Sequence, residues 1–144
     1  MSYGDGSSTA ALAISEKSFA LEHQSTSSGS FTVTVNVLYK DGGLGSASAR
    51  VDVQSPLQGI ANLGPMVAAL GGRGGLNGGQ LNSLQVKLNN ASARLGEGNG
   101  TAAGNMLGAF LNEVDALVSS GRVSGATAAS IADYARRVIA SIGA

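Results

Sequence analysis

Cysteine and tryptophan are absent from this chain, histidine occurs once, and there are two prolines, three tyrosines and three phenylalanines. Without cysteine there is no disulfide frame, no thiolate metal site and no thiol nucleophile, although this absence fixes no compartment. Charge is also scarce. Nine basic and nine acidic residues make up 12% of the sequence and cancel to a formal net charge of zero. A phosphate backbone attracts clustered Lys and Arg, and the basic residues here are scattered, so nucleic acid is not expected as a partner. No apolar run is long enough to cross a bilayer. Met1-Ser2-Tyr3-Gly4-Asp5 has neither the basic nor the apolar region of a leader, so any export signal is expected to lie outside this chain.

What is present divides into two characters. Residues 1–55 are rich in Ser, Thr and Val with period-two alternation, whereas residues 57–144 are rich in Ala, Leu and Asn with helical spacing. The change falls at Ser55-Pro56, where proline ends a strand and can open a helix. Two domains are expected, at 1–55 and 56–144. In the first, Phe31, Val33, Val35 and Val37 alternate with polar residues, as do Ala47, Ala49, Val51 and Val53. Asp41-Gly42-Gly43 between them supplies a hairpin turn. Upstream, Tyr3-Gly4-Asp5-Gly6-Ser7 reads as a tight turn after a strand end. Leu12 and Ile14 mark one short strand, Phe19, Leu21 and His23 another, and Gln24 to Gly29 a polar loop.

The second half reads as four helices. Leu57, Ile60, Leu63, Val67 and Leu70 stripe the first, which Gly59, Gly64 and Pro65 should weaken or bend. Leu81, Leu84, Leu88, Ala91 and Leu95 stripe the second. A broad apolar face on the third comprises Ala103, Met106, Leu107, Phe110, Leu111, Val114, Leu117 and Val118. Ser124 can cap the fourth, whose face is Ile131, Tyr134, Ala135, Val138, Ile139 and Ile142. Glycine-rich breaks at 71–75, 96–100 and after Ser120 separate them. The expected core is Leu84, Leu88, Leu107, Phe110, Leu111, Val114, Leu117, Ile131, Val138 and Ile142, in an antiparallel bundle.

Two resemblances add to this reading. Gly4-Asp5-Gly6, Glu22-His23, Gly29-Ser30-Phe31-Thr32-Val33-Thr34-Val35 and Asp41-Gly42-Gly43 with its closing strand resemble, over residues 2–54, the later two-thirds of a PKD-type immunoglobulin-like domain. The strands that normally precede the Gly-Asp-Gly turn are missing. Leu76 to Leu84, Lys87-Leu88, Gly98-Asn99, Leu107 to Val114 and Ser120-Gly121-Arg122-Val123 resemble, over roughly residues 57–143, the small helical FIMAH domain of secreted bacterial multidomain proteins. Together they imply an α+β fold, a partial antiparallel immunoglobulin-like β-sandwich followed by a four-helix bundle. They also imply an extracellular accessory role with no established catalytic residues to carry over.

Candidate chemistry is sparse. His23 beside Glu22 lacks the convergent groups of a metal site or acyl-transfer triad, so a structural hydrogen bond is the preferred role. Asp5 and Asp41, each in a glycine-rich turn, could meet to bind Ca²⁺, but calcium takes six or more oxygens and turn formation is the better reading. Glu113 and Asp115 project about 200° apart on a helix and make no acid/base pair. Gly71-Gly72-Arg73-Gly74-Gly75 lacks the repeats and aromatic partners of an RNA-binding segment. Gly96 to Gly100 follows a helix instead of a strand, unlike a phosphate loop. Arg136-Arg137 should complement a helix dipole. Asn90-Ala91-Ser92 and Asn99-Gly100-Thr101 match the glycosylation pattern by coincidence.

The expected function is therefore a non-catalytic, extracellular or cell-surface bacterial module without cofactor or metal. Residues 1–55 provide four strands at most, and a PKD-type sandwich needs about seven. Its β-sheet should be completed by other copies of the chain, through Leu12, Ile14, Phe31, Val33, Val35 and Val37, in a closed dimer or a filament. Cell-surface or matrix components are further partners. The alternatives are an accessory C-terminal region of a secreted hydrolase and a carbohydrate-binding module. The latter is disfavoured by the lack of Trp and by having only Tyr3, Tyr39 and Tyr134 as sugar platforms.

Overall fold

The computed structural model describes residues 1–9, 11, 23, 25, 27–71 and 75–143. They form an α+β chain in which two strands precede four helices, in two compact units, Met1–Ser55 and Pro56–Ala144.

In the first unit, β1 (Gly29–Leu38) and β2 (Leu44–Val53) pair antiparallel without interruption from Gly29↔Val53 to Leu38↔Leu44. The turn fixes the phase of this ladder. Tyr39 N–H donates to the Gly43 carbonyl at 2.8 Å, and Gly42 N–H donates to the Tyr39 carbonyl at 3.0 Å. Gly42 sits at φ 83°, the left-handed region that glycine enters freely. With Tyr39 and Gly43 as the closing pair, odd-numbered residues of both strands exchange hydrogen bonds inside the hairpin, and even-numbered residues turn their N–H and C=O groups outward. The outer edge of β1 bears this out. Ser2 and Thr34 exchange two backbone hydrogen bonds, both 2.8 Å, in an isolated antiparallel bridge.

One face of the hairpin is apolar. Phe31, Val33, Val35 and Val37 are half-buried on it, but the residues opposite them are exposed or small: Val51, Ala49, Ala47 and Gly45. The other face pairs Ser30, Thr32, Thr34 and Asn36 with Asp52, Arg50, Ser48 and Ser46. A full immunoglobulin-like sandwich is not seen among the described residues, which supply two strands and one bridge. Leu12, Ile14, Phe19 and Leu21, on which further strands were expected, lie outside the described residues.

The second unit comprises α1 (Pro56–Gly71), α2 (Gly78–Gly96), α3 (Gly100–Ser119) and α4 (Gly125–Ile142). Proline fits the first helical position because its missing N–H would have no intrahelical partner. Contrary to the expected weakening, α1 runs through Pro65 to Gly71. Buried Ile60, Leu63, Val67 and Leu70 hold the helix on both sides of that proline. Gly59, read as a weak point, is a close-packing site. A Cβ there would stand 2.7 Å from a Val138 methyl, so this glycine lets α1 lie against α4.

Neutral side chains close the helix N-termini. Asn77 and Gln80 form a reciprocal capping box at α2, Asn99 accepts from Ala102 N–H at α3, and Ser124 accepts from Thr127 N–H at α4. The helices pack as a closed ring: α1 meets α2 and α4, and α3 meets the same two. Inside are Leu63, Leu84, Leu88, Leu107, Phe110 and Ile131, all essentially inaccessible to water. No described polar or charged residue is buried with them.

The expected core is correct for most positions, but Leu111 and Ile142 are only half-buried at the flanks of their stripes. Ile60, Leu63, Val67 and Leu70 of α1 join the core, and small and loop residues take the remaining places: Ala91, Ala103, Ala128, Ala132 and Ala135, with Leu76 and Val123 from the connections. Phe110 is fully buried on α3, so Phe110→Ala is expected to lower the unfolding free energy of the bundle by about 3–5 kcal/mol. Denaturant titration followed by helical circular dichroism measures this, and a loss below about 1 kcal/mol would place the ring outside the core.

Candidate functional site

The densest polar cluster centres on Asp5. Gly4 at φ 77° and Gly6 at φ 87° bend the chain around it, and a Cβ on Gly4 would lie 2.6 Å from the Thr32 carbonyl oxygen. The Gly-Asp-Gly turn is thus pressed against β1, immediately after the Ser2–Thr34 bridge. Asp5 Oδ1 accepts from Ser7 N–H at 3.1 Å and Ser7 Oγ at 2.6 Å. Its Oδ2 accepts from Ser25 Oγ at 2.8 Å and meets His23 Nε2 at 2.6 Å. The Tyr3 ring stacks on the imidazole with centroids 3.6 Å apart. Asp5 keeps only 6% of its side-chain surface exposed. Hydrogen bonds from His23, then Ser7 and Ser25, hold its carboxyl well below the usual carboxylate range. The ionised acid has no proton to give, so His23 Nε2 is the donor.

This order of contacts decides what the cluster can do. In an acyl-transfer triad the hydroxyl donates to the imidazole, and the acid touches only the far ring nitrogen. Here both hydroxyls donate to the acid. Their protons are aimed at the carboxylate and not at the imidazole, and the acid ties the Asp5–Ser7 turn to the segment that carries His23 and Ser25. Asp5, expected to be an isolated turn former, does form the turn and is also the hub of the cluster. Asp41 lies exposed next to Gly42 in the hairpin turn. Among the described residues no group of three or more His, Asp or Glu side chains is placed to hold a metal ion.

The expected assembly residues divide. Leu12 and Ile14 lie outside the described residues. Phe31, Val33, Val35 and Val37 share the half-buried face of β1. The outer edge of β2, which had not been singled out, is the more open feature. No described strand or bridge lies along it. The signal for it was present in Ser46 to Ala49, whose small side chains leave the strand exposed on both faces.

In the bundle, Glu113 does not simply face water. Its Oε2 accepts from Lys87 Nζ at 2.7 Å and from Ser83 Oγ at 2.9 Å, joining α2 to α3. Arg136 pairs with Asp133 one turn back, and Arg137 lies over the Tyr134 ring. Neither arginine occupies the last turn of α4, where a dipole partner was expected. Asn99 is a helix cap, so its side-chain oxygen is engaged. A cleft of about 260 Å³ is lined by Leu70, Gly75, Arg122, Val123, Ser124 and Thr127. Gly72, Arg73 and Gly74 lie outside the described residues. No described helix is long and apolar enough to cross a membrane.

Residues 60–140, more than half of the chain and all within the helical unit, match the FIMAH domain family. The chain belongs to that family. No curated protein and no solved structure matches it. The FIMAH match leaves the β-unit unassigned.

The Asp5 cluster makes the β-unit acid-sensitive in a defined direction. Because the folded-state pKa of Asp5 is depressed, its contribution is fully present above the ordinary carboxylate pKa of about 4 and is lost as pH falls below that value toward the folded one. Asp5→Asn should destabilise the β-unit at neutral pH, and the gap between variant and native protein should close on acidification. Exchange of the Thr34 amide, which donates to Ser2, reports this. A gap unchanged between pH 6 and pH 2 would show that Asp5 is no charged hub.

Proposed function

We propose that this chain is a non-catalytic, extracellular structural module of a bacterial surface protein, in which a FIMAH bundle follows an incomplete PKD-type β-unit and association proceeds by completing that unit's sheet. FIMAH domains occur in bacterial surface proteins, which supports the location. The reading as a non-enzyme is supported by the Asp5 cluster, where hydroxyls serve the acid and not the imidazole. The observation that carries the association is the outer edge of β2, along which no described strand lies, beside an apolar face whose β2 half is exposed. Exposed edges of this length template pairing with another strand. The PKD assignment rests on the order Gly4-Asp5-Gly6, His23, Phe31 to Val37 and Asp41-Gly42-Gly43, and on the bridge that sets Ser2 beside Thr34.

Amide exchange of the full chain at low and high concentration tests this reading. Of the N–H groups of Ser46, Ser48, Arg50 and Asp52, those that the added strand covers should gain protection as concentration rises, while the odd-numbered amides of β2, already bonded to β1, should change little. Concentration-independent exchange at all four, with a constant solution mass, would refute sheet completion by a second copy.

A further inference from the structure

The outer edge of β2, along which no described strand or bridge lies, carries enough chemistry to fix how a second copy would add to it, and the inference rests on the sheet-completion reading above. Only even-numbered residues of β2 offer outward N–H and C=O groups, so an added strand must place its own outward-bonding residues against Ser46, Ser48, Arg50 or Asp52. β2 has no proline, no bulge in its register with β1, and no run of like charge, the usual defences of an edge. Its two charges have opposite sign. Arg50 and Asp52 stand on the polar face, 73% and 70% exposed, and the Arg50 Nε to Asp52 Oδ1 separation is 3.2 Å.

We infer that two copies pair antiparallel through β2, about a two-fold axis at Val51. Residue numbers facing one another then sum to the same total, so Arg50 lies opposite Asp52 of the second copy and Asp52 opposite its Arg50. Both are pairs that exchange backbone hydrogen bonds, which satisfies the outward groups of all four residues. On the other face Val51, 44% exposed in this chain, meets its own counterpart, and Ala49 meets Val53. An axis at Arg50 or at Asp52 sets like charges together, and an axis at Ser48 or Ala49 leaves both charges opposite Ser or Leu. Opposite charges directly across a ladder favour pairing and like charges oppose it. Charge complementarity therefore selects the register at Val51. The resulting contact is isologous and closes as a dimer, not a filament.

Charge reversal tests the register in the full chain by sedimentation velocity over a concentration series. Arg50→Asp sets acids against acids and Asp52→Arg sets bases against bases, so each variant alone should associate roughly tenfold more weakly than the native chain, or less still. An equimolar mixture should recover the association as a heterodimer, resolved by native mass spectrometry from the two homodimer masses. This recovery separates pairing between chains from the Arg50–Asp52 contact within one, which both variants lack. Native-like association of either single variant, or a mixture that recovers nothing while both variants keep the native amide spectrum, would overturn the register at Val51. A native chain that shows no association overturns the sheet-completion reading itself.

Discussion

The helical unit depends on exclusion of water from a single shared interior. Each helix presents an apolar stripe that cannot be buried alone, and the ring of contacts from α1 through α2, α3 and α4 back to α1 lets each stripe face two others. Phe110 fills the interior, which holds no described polar group needing a partner. Association is therefore decided by shape. The alanines of α4 and the close approach at Gly59 set how near the helices come, and Leu76 and Val123 close the core from the connections.

The described part of the β-unit is held differently. Its described residues include no fully buried side chain, and its order comes from directional bonds: the β1–β2 ladder, the Ser2–Thr34 bridge and the contacts gathered by Asp5. A two-stranded sheet is marginal in water without such support. The acid at the centre joins the N-terminal turn to His23 and Ser25, residues far from it in sequence. One carboxylate thus ties together described segments that are far apart in sequence.

Most of the fold was legible because it rests on periodicity. Alternation at Phe31 to Val37 and Ala47 to Val53 gave both strands, Asp41-Gly42-Gly43 gave the turn, and three-four spacing gave the helices and most of the core. The misreadings came from residues whose role is set by a distant neighbour. Gly59 reads locally as a weak point, and only Val138 on another helix makes it a contact. The partner of Glu113 is invisible along α3 because Lys87 is on α2. Asp5 carried the same ambiguity: the sequence places it in a turn, while convergence of Ser25 and His23 is a tertiary event. The exposed edge of β2 was hidden for another reason, since alternation reveals faces and is silent about edges.

The closing of the helix ends bears on the solutions in which the bundle can work. Asn77, Asn99 and Ser124 hold three of the four N-termini with uncharged oxygens, no helix has an acidic residue in its first turn, and only α2 has a basic residue in its last. Screening by dissolved ions acts on charge–dipole and exposed ion-pair terms, and hardly on hydrogen-bonded caps or packed hydrocarbon. Apart from the half-buried Lys87–Glu113 pair, the bundle's ion pairs are exposed and of small weight. Its stability should consequently be nearly the same in fresh water and in brine, a tolerance of salinity that follows from how its helices begin.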